Sequence, residues 1–84
     1  MADITIYSTT VCPFCVRAKM LFDKKGAAYT EINLDKDPAR RGEMVEKAGG
    51  RRTVPQIFIN GQHVGGCDDL YELELDGKLD PMLT

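Results

Sequence analysis

Residues 4–15, ITIYSTTVCPFC, decide the fold of this chain. They open as an alternating run rich in β-branched side chains, and we predict a strand over residues 3–7. After a short polar segment the apolar residues recur at helical spacing, which predicts a helix over residues 13–25 that ends at Gly26. Two cysteines therefore stand where a strand ends and a helix begins.

A Cys-x-x-Cys at the head of a helix is typical of a redox site. The unpaired N–H groups and the partial positive charge of a helix N-terminus favour the thiolate, the reactive form, at Cys12. Pro13 suits the first helical position, where its missing N–H costs nothing. One helical turn allows a Cys12–Cys15 disulfide, although so short a loop adds little stability. We expect Cys12 to be exposed at the junction and Cys15 to face inward.

The 84 residues predict one domain over residues 1–84. The net charge is −2, with both signs scattered and no basic stripe that would indicate nucleic-acid binding. No apolar run approaches the ~18 residues of a membrane span, and the first residues lack the layout of a signal peptide. Three cysteines, an odd number, argue against a secreted disulfide framework. We therefore expect a cytoplasmic protein.

The remaining pattern gives the element order β-α-β-α-β-β-α. It predicts strands over residues 29–34, 56–59 and 62–65, and helices over residues 37–48 and 67–73. Asp37 is expected to cap the second helix, with Pro38 at its first position. Asn60-Gly61 is a strong hairpin signal. Residues expected in the core, including a tail that packs onto it, are Tyr7, Phe22, Phe58, Leu70, Leu73, Leu79, Met82 and Leu83.

This order, with Cys12-Pro13-Phe14-Cys15, Thr53-Val54-Pro55 and Gly65-Gly66-Cys67-Asp68-Asp69, resembles the small bacterial dithiol glutaredoxins over nearly the whole chain. The resemblance implies an α/β thioredoxin-like fold with a four-stranded mixed sheet and flanking helices. It implies a glutathione-dependent thiol–disulfide oxidoreductase that reduces protein disulfides and glutathione mixed disulfides. Glutathione would be the co-substrate and no metal is expected. Ribonucleotide reductase is an example of a substrate, glutathione reductase and NADPH act indirectly, and a monomer is expected.

The resemblance also implies roles for single residues. Cys12 would be the nucleophile and Cys15 the resolving cysteine, needed for protein disulfides but not for glutathionylated substrates. Pro55 would follow a cis peptide bond that turns the Val54 backbone toward the cysteines, where it can pair with a substrate main chain. Without the resemblance, a trans loop proline is the better reading of Pro55. Thr53 would line the same groove.

Glutathione is expected to contact Phe14, Gly66, Cys67 and Asp68 as well. The glycine allows close approach, helix N–H groups can hold a carboxylate, and Asp68 can hold the neighbouring ammonium. The alternative is a plain turn with a capping aspartate. Asp69 is expected to interact with the helix dipole. Phe14 stands where the family usually has Tyr, and a Lys often found before the first cysteine is missing; the candidates to replace it are Arg17, Arg51 and Arg52.

Other functions stay open at this point. A dimeric [2Fe–2S] carrier would use Cys12 and glutathione, but Pro13 argues against it. A thioredoxin-like protein reduced by a flavoenzyme would usually have a Trp before its motif, and the chain has no Trp. Cys67 could take a third redox role, contact glutathione through its backbone or cap a turn. His63 is expected to be an exposed strand histidine rather than a metal ligand.

Overall fold

The computed structural model describes residues 2–84 and has the predicted order of elements, with one addition at the end. Four strands, three predicted helices and a further C-terminal helix follow one another. They are β1 (Ile4–Ser8), α1 (Pro13–Lys24), β2 (Thr30–Asn33), α2 (Arg41–Lys47), β3 (Gln56–Ile59), β4 (Gln62–Gly65), α3 (Cys67–Leu75) and α4 (Leu79–Leu83). None of the helices within residues 2–84 has the length and apolar character needed to cross a membrane.

The strands form one mixed sheet in the order β2-β1-β3-β4. β1 and β2 are parallel, and α1 connects them. β3 runs antiparallel to β1 and pairs with β4 as a hairpin. Asn60 and Gly61 adopt left-handed φ angles of 53° and 80°, which suit a tight hairpin turn. The predicted thioredoxin-like architecture and the Asn-Gly hairpin are thus confirmed.

The sheet buries a different set of side chains on each face, because successive residues of a strand point to opposite sides. Ile4 and Ile6 of β1 pack with α1, α3 and α4, whereas Tyr7 packs with α2 on the other face. As predicted, Phe22, Leu70 and Leu79 are buried in the first cluster and Phe58 in the second. The other predicted core residues of α3 and the tail pack against the first cluster; they are Leu73, Met82 and Leu83.

Two local expectations need correction. Asp37 makes no side-chain capping bond, because Pro38–Arg40 form a 3₁₀ turn in which the Asp37 carbonyl accepts from the Arg40 N–H at 3.1 Å. α2 therefore starts only at Arg41. The tail forms a short helix, α4, that its sequence pattern did not indicate; burial of Leu79 in the core accounts for its stability better than intrinsic propensity does.

A hydrogen bond between side chains attaches α2 to the sheet. The Tyr7 hydroxyl donates to the Glu43 carboxylate, which also accepts from Arg40 at 2.9 Å. Burial, and then this bond, raises the pKa of Tyr7 to about 12. Hydrogen bonds from Arg40 and Tyr7 lower the pKa of Glu43. The phenol therefore stays protonated and keeps donating at physiological pH.

Candidate active site

The two cysteines are joined in a disulfide at the start of α1, with their Cα atoms 5.2 Å apart. Cys12 is the N-cap residue with extended backbone angles, φ −151° and ψ 95°. Its Sγ atom lies 3.1 Å from the amide nitrogen of Cys15 and accepts a hydrogen bond from it. Pro13 occupies the first turn. The first turn of α1 therefore aims a backbone N–H at the Cys12 sulfur, as the position of the motif predicts.

The burial of the pair agrees with the prediction for one cysteine and contradicts it for the other. Cys15 faces inward and is 1% exposed. Cys12 was expected to be exposed but is only 8% exposed. The bond to Cys15 covers one side of its sulfur, and the Val54 carbonyl oxygen lies 3.9 Å away on another. In the oxidised protein, little of the Cys12 surface is therefore exposed to an incoming thiol.

The loop before β3 forms the second side of the site. Its Val54–Pro55 peptide bond is cis, which confirms that prediction. Thr53 is exposed, Val54 is partly buried and Pro55 is buried. The buried Gln56 side-chain amide fixes the loop by donating to the Thr53 carbonyl at 3.0 Å and to the Thr53 hydroxyl at 3.2 Å. This loop places the Val54 carbonyl next to the disulfide.

A shallow groove of about 140 Å³ lies between the start of α1, the loop before β3 and the start of α3. Its lining contains six of the seven residues expected to contact glutathione; the seventh, Val54, borders Cys12 instead. Phe14 forms one wall and is 52% exposed. The full lining is Phe14, Arg51, Thr53, Pro55, Gly66, Cys67, Asp68 and Asp69.

The turn from β4 into α3 forms the far end of the groove. Gly66 is the N-cap of α3, and its N–H donates to the Asp69 carboxylate at 2.9 Å. The same carboxylate pairs with Arg51 at 3.1 Å. The Gly66 bond, and then Arg51, lowers the pKa of Asp69. Asp69, the third residue of α3, thus accepts from the backbone N–H of the N-cap residue, a more specific role than the predicted interaction with the helix dipole.

Asp68 differs from its neighbour because its carboxylate is exposed and has no hydrogen-bond or ion-pair partner among residues 2–84. Of the three candidate cations, Arg51 lines the groove. Arg17 lies over the ring of Tyr71 at 5.5 Å, on the α3 side of α1. The groove therefore offers a free negative charge at Asp68 and a positive charge at Arg51.

Cys67 is a buried free thiol in the core cluster beneath the groove. Burial raises the pKa of this thiol, which disfavours the thiolate. Its position as the first residue of α3 leaves its backbone at the groove. These observations argue against a third redox role and favour a backbone contact.

His63 is half-buried, so the expectation of an exposed histidine was wrong. Its ring stacks on Phe58 at 5.0 Å, and its Nε2 lies 2.7 Å from the Gln56 side-chain oxygen. Burial, with the nearby Arg51 charge, lowers the pKa of His63. Throughout residues 2–84, no three His, Cys, Asp or Glu side chains converge to hold a metal ion. The sequence reasoning missed the role of Gln56, whose one signal is a polar residue at the start of an apolar strand.

Comparison with known proteins gives the family. The glutaredoxin family model matches residues 4–64. The chain is 52% identical to glutaredoxin 3 of Escherichia coli K12 over 83 residues, covering 99% of each protein. It is 51% identical to a glutaredoxin of Pseudomonas aeruginosa, covering 100% of this chain and 99% of that one.

Solved structures agree. The crystal structure of a buckwheat glutaredoxin–glutathione complex superposes with a TM-score of 0.90 at 44% identity, covering 98% of this chain and 76% of that one. The solution structure of glutaredoxin from Brucella melitensis superposes with a TM-score of 0.84 at 54% sequence identity, covering 99% of this chain and 89% of that one.

A thioredoxin-like fold with a Cys-x-x-Cys pair at the N-terminus of α1 defines a thiol–disulfide oxidoreductase. The chain belongs to the glutaredoxin family. It is accordingly a glutathione-dependent thiol–disulfide oxidoreductase that uses glutathione as its co-substrate.

Proposed function

We propose that Cys12 is the nucleophile of this enzyme and Cys15 its resolving cysteine. The supporting observation is the 3.1 Å hydrogen bond from the Cys15 N–H to the Cys12 sulfur at the start of α1. An N–H donor and the helix dipole stabilise negative charge on that sulfur when the pair is reduced. Cys15 is buried, and its sulfur is bonded to the sulfur of Cys12.

With a glutathione mixed disulfide, Cys12 works alone. Its thiolate attacks the glutathione sulfur, a new S–S bond forms on Cys12, and the substrate leaves as a thiolate that takes up a proton. A second glutathione thiolate then attacks the bound glutathione sulfur. This step breaks the bond to Cys12, releases oxidised glutathione and restores the Cys12 thiolate. One free glutathione is therefore consumed in each cycle, and the other half of the oxidised glutathione comes from the substrate.

With a protein disulfide, both cysteines take part. The Cys12 thiolate forms a mixed disulfide with one substrate sulfur and releases the other as a thiolate. The Cys15 thiolate attacks the Cys12 sulfur, which frees the second substrate thiolate and closes the Cys12–Cys15 bond. Two glutathione molecules reduce this bond and leave as oxidised glutathione.

Glutathione lies in the groove beside Cys12. The Val54 main chain pairs with its cysteine residue, and Thr53, Pro55 and the Phe14 ring line the site. At the far end, the backbone at Gly66 and Cys67 holds the γ-glutamyl carboxylate, and the free carboxylate of Asp68 holds the adjacent ammonium. This arrangement is supported by the common groove and by the unpaired charge of Asp68.

Membership of the family supports a proposal for the wider setting of the reaction. Protein disulfides such as that of ribonucleotide reductase are substrates, and glutathione reductase with NADPH restores the glutathione. The protein acts in the cytoplasm as a monomer, with residues 1–84 as a single domain. Sedimentation at micromolar concentration tests the oligomeric state: a single species near 9.3 kDa is expected, and a dimer would contradict it.

Asp68→Ala tests the glutathione groove. We expect the apparent KM for glutathione to rise about three- to tenfold with kcat nearly unchanged, because a charge-assisted contact to the ammonium is lost. Glu72→Ala is the matched control, since it removes an exposed carboxylate one turn further along α3. Equal KM values for the two variants would contradict the assignment of Asp68.

A further inference from the structure

A chain of hydrogen bonds runs from β4 to the loop beside the disulfide. The His63 Nε2 atom lies 2.7 Å from the Gln56 Oε1 atom. The Gln56 Nε2 atom donates to the Thr53 carbonyl at 3.0 Å and to the Thr53 hydroxyl at 3.2 Å. Gln56 itself is 0% exposed, although it is polar. A buried amide has to satisfy its polar atoms within the protein, and here it does so between these two residues.

The chemistry of the acceptors determines where the protons are. The Thr53 carbonyl can only accept, so the NH₂ group of Gln56 must face Thr53. The oxygen of the Gln56 amide then faces His63, and an oxygen can only accept. The Nε2 atom of His63 therefore carries a proton and donates it to Gln56. The stack of the His63 ring on Phe58, with centroids 5.0 Å apart, holds this donor in position.

The direction of the Thr53 carbonyl also orients the next amide. The cis peptide bond in residues 2–84 is the Val54–Pro55 bond, so the Thr53–Val54 bond is trans. In a trans peptide the C=O and the following N–H point in opposite directions. Because the Thr53 carbonyl points at Gln56, the Val54 N–H points away from it. Within residues 2–84, this N–H has no hydrogen-bond partner.

We infer that His63 is a positioning residue for the reaction: acting through Gln56, it fixes the Thr53–Val54 peptide so that the Val54 N–H is presented to the main chain of the peptide bound at Cys12. This inference rests on the groove assigned under the proposed function. Among residues 2–84 the hydrogen bond of the His63 side chain is made to Gln56, not to a cysteine or to a residue of the groove lining. Its effect is on the orientation of one backbone donor, the Val54 N–H.

Loss of the His63 donor leaves the buried oxygen of Gln56 without a partner. The Gln56 side chain can then relieve this unpaired atom by rotating, and a rotated amide no longer holds the Thr53 carbonyl. Because Thr53 is exposed and no other side chain within residues 2–84 bonds its carbonyl, the peptide becomes free to turn. Binding of glutathione weakens, whereas the sulfur chemistry at Cys12 does not change.

Three variants distinguish the effect of the His63 N–H donor from the effect of its aromatic ring. His63→Phe keeps an aromatic ring on Phe58 and removes the donor. His63→Gln removes the ring and can restore an N–H near the position of Nε2. Gln56→Glu keeps the shape of the side chain but has no NH₂ group to give to Thr53. For each variant, the kcat and the apparent KM for glutathione are measured with a glutathionylated peptide as the second substrate, as for Asp68→Ala. The rate of Cys12 alkylation by iodoacetamide is measured as well.

We expect His63→Phe and Gln56→Glu to raise KM about three- to tenfold, the range that loss of one hydrogen bond produces. The kcat and the alkylation rate should stay within about twofold, and His63→Gln should return KM to within about twofold of the parent value. In the Cys15→Ser protein with glutathione on Cys12, the Val54 amide proton should lose its downfield NMR shift in the His63→Phe background. A merely structural change would not move this signal selectively.

An unchanged KM in His63→Phe would overturn the inference. The inference would also be overturned if His63→Gln raised KM as much as His63→Phe does. The N–H donor restored by Gln would then make no difference to binding. The result for Asp68→Ala identifies which claim has failed. If Asp68→Ala raises KM and His63→Phe does not, only the positioning role is lost; if neither changes KM, the groove assignment itself is wrong.

Discussion

The backbone N–H of Cys15 points at the sulfur of Cys12 from one turn further along α1, at 3.1 Å. This contact exists before any substrate arrives. On reduction, the sulfur that accepts the bond can become a thiolate, and the donor needs no rearrangement to stabilise it. The most basic requirement of the reaction is therefore met by the first turn of one helix.

Titration of the reduced protein tests this contact. We expect the thiolate absorbance near 240 nm to develop with a midpoint well below the ~8.5 of an ordinary cysteine, because the N–H and the helix dipole favour the ionised sulfur. Cys12→Ser should remove this low-pH step, because the sulfur that accepts the Cys15 N–H bond is gone. Of the two cysteines that remain, Cys15 is buried and burial raises the pKa of Cys67. A midpoint at the ordinary cysteine value would refute the mechanism.

The two cysteines should differ in their effects on activity. Cys12→Ser should abolish turnover of every substrate, because no nucleophile remains. Cys15→Ser should keep the reduction of a glutathionylated peptide within severalfold of the parent rate and reduce direct reduction of a protein disulfide by at least tenfold. Coupled assays with glutathione reductase measure both. If Cys15→Ser lowered the two activities equally, the proposed division of roles would be wrong.

Gly65 should not tolerate a side chain. Its φ of +120° is unfavourable for other residues, and a Cβ atom there would overlap the Asp69 carboxylate that caps α3. We expect Gly65→Ala to lower the free energy of unfolding by roughly 1–3 kcal/mol in urea titrations. Gly42→Ala is the control in α2, where a Cβ meets open space, and it should stabilise by roughly 0.5–1 kcal/mol. Equal effects would contradict this reading of the turn.

Tyr7→Phe should loosen α2. The variant keeps the buried ring but removes the hydrogen bond to Glu43, and bonds to charged groups contribute about 1.5–3 kcal/mol. Because the pKa of Tyr7 is raised to about 12, this contribution is fully present below pH 10 and is lost as the pH rises through 12. Tyr29→Phe, whose hydroxyl has no hydrogen-bond partner among residues 2–84, should cost much less. Similar costs in urea would count against the Tyr7–Glu43 bond.

His63 should make stability depend on pH near neutrality. Burial lowers its pKa from the usual 6.5, so the unfolded chain binds a proton that the folded protein does not. Stability should be complete above pH 6.5 and decrease as the pH falls below it. His63 is the one histidine of the chain. In His63→Gln, the urea midpoint should therefore change less with pH between pH 7 and the range where carboxylates titrate. An unaltered slope would show that His63 is not the group responsible.

Short-range features of the chain were predicted well. The strand–turn–helix around Cys12, the Asn60-Gly61 hairpin and the bounds of β3 and β4 follow from residues that are neighbours in sequence. The cis bond before Pro55 was predicted from the resemblance, because the residues themselves favour trans. The start of α2 was wrong, since a 3₁₀ turn satisfies the backbone that Asp37 was expected to cap.

The sequence by itself determined the four strands, α1, α3 and the place of the redox pair, because hydrophobic periodicity and turn residues act over a few positions. Tertiary structure alone decided the burial of Cys12, the pairing of Asp69 with Arg51 across 18 positions and the contact of His63 with Gln56. These depend on which side chains meet when distant elements pack, and on buried polar atoms finding partners there. No local pattern specifies that outcome.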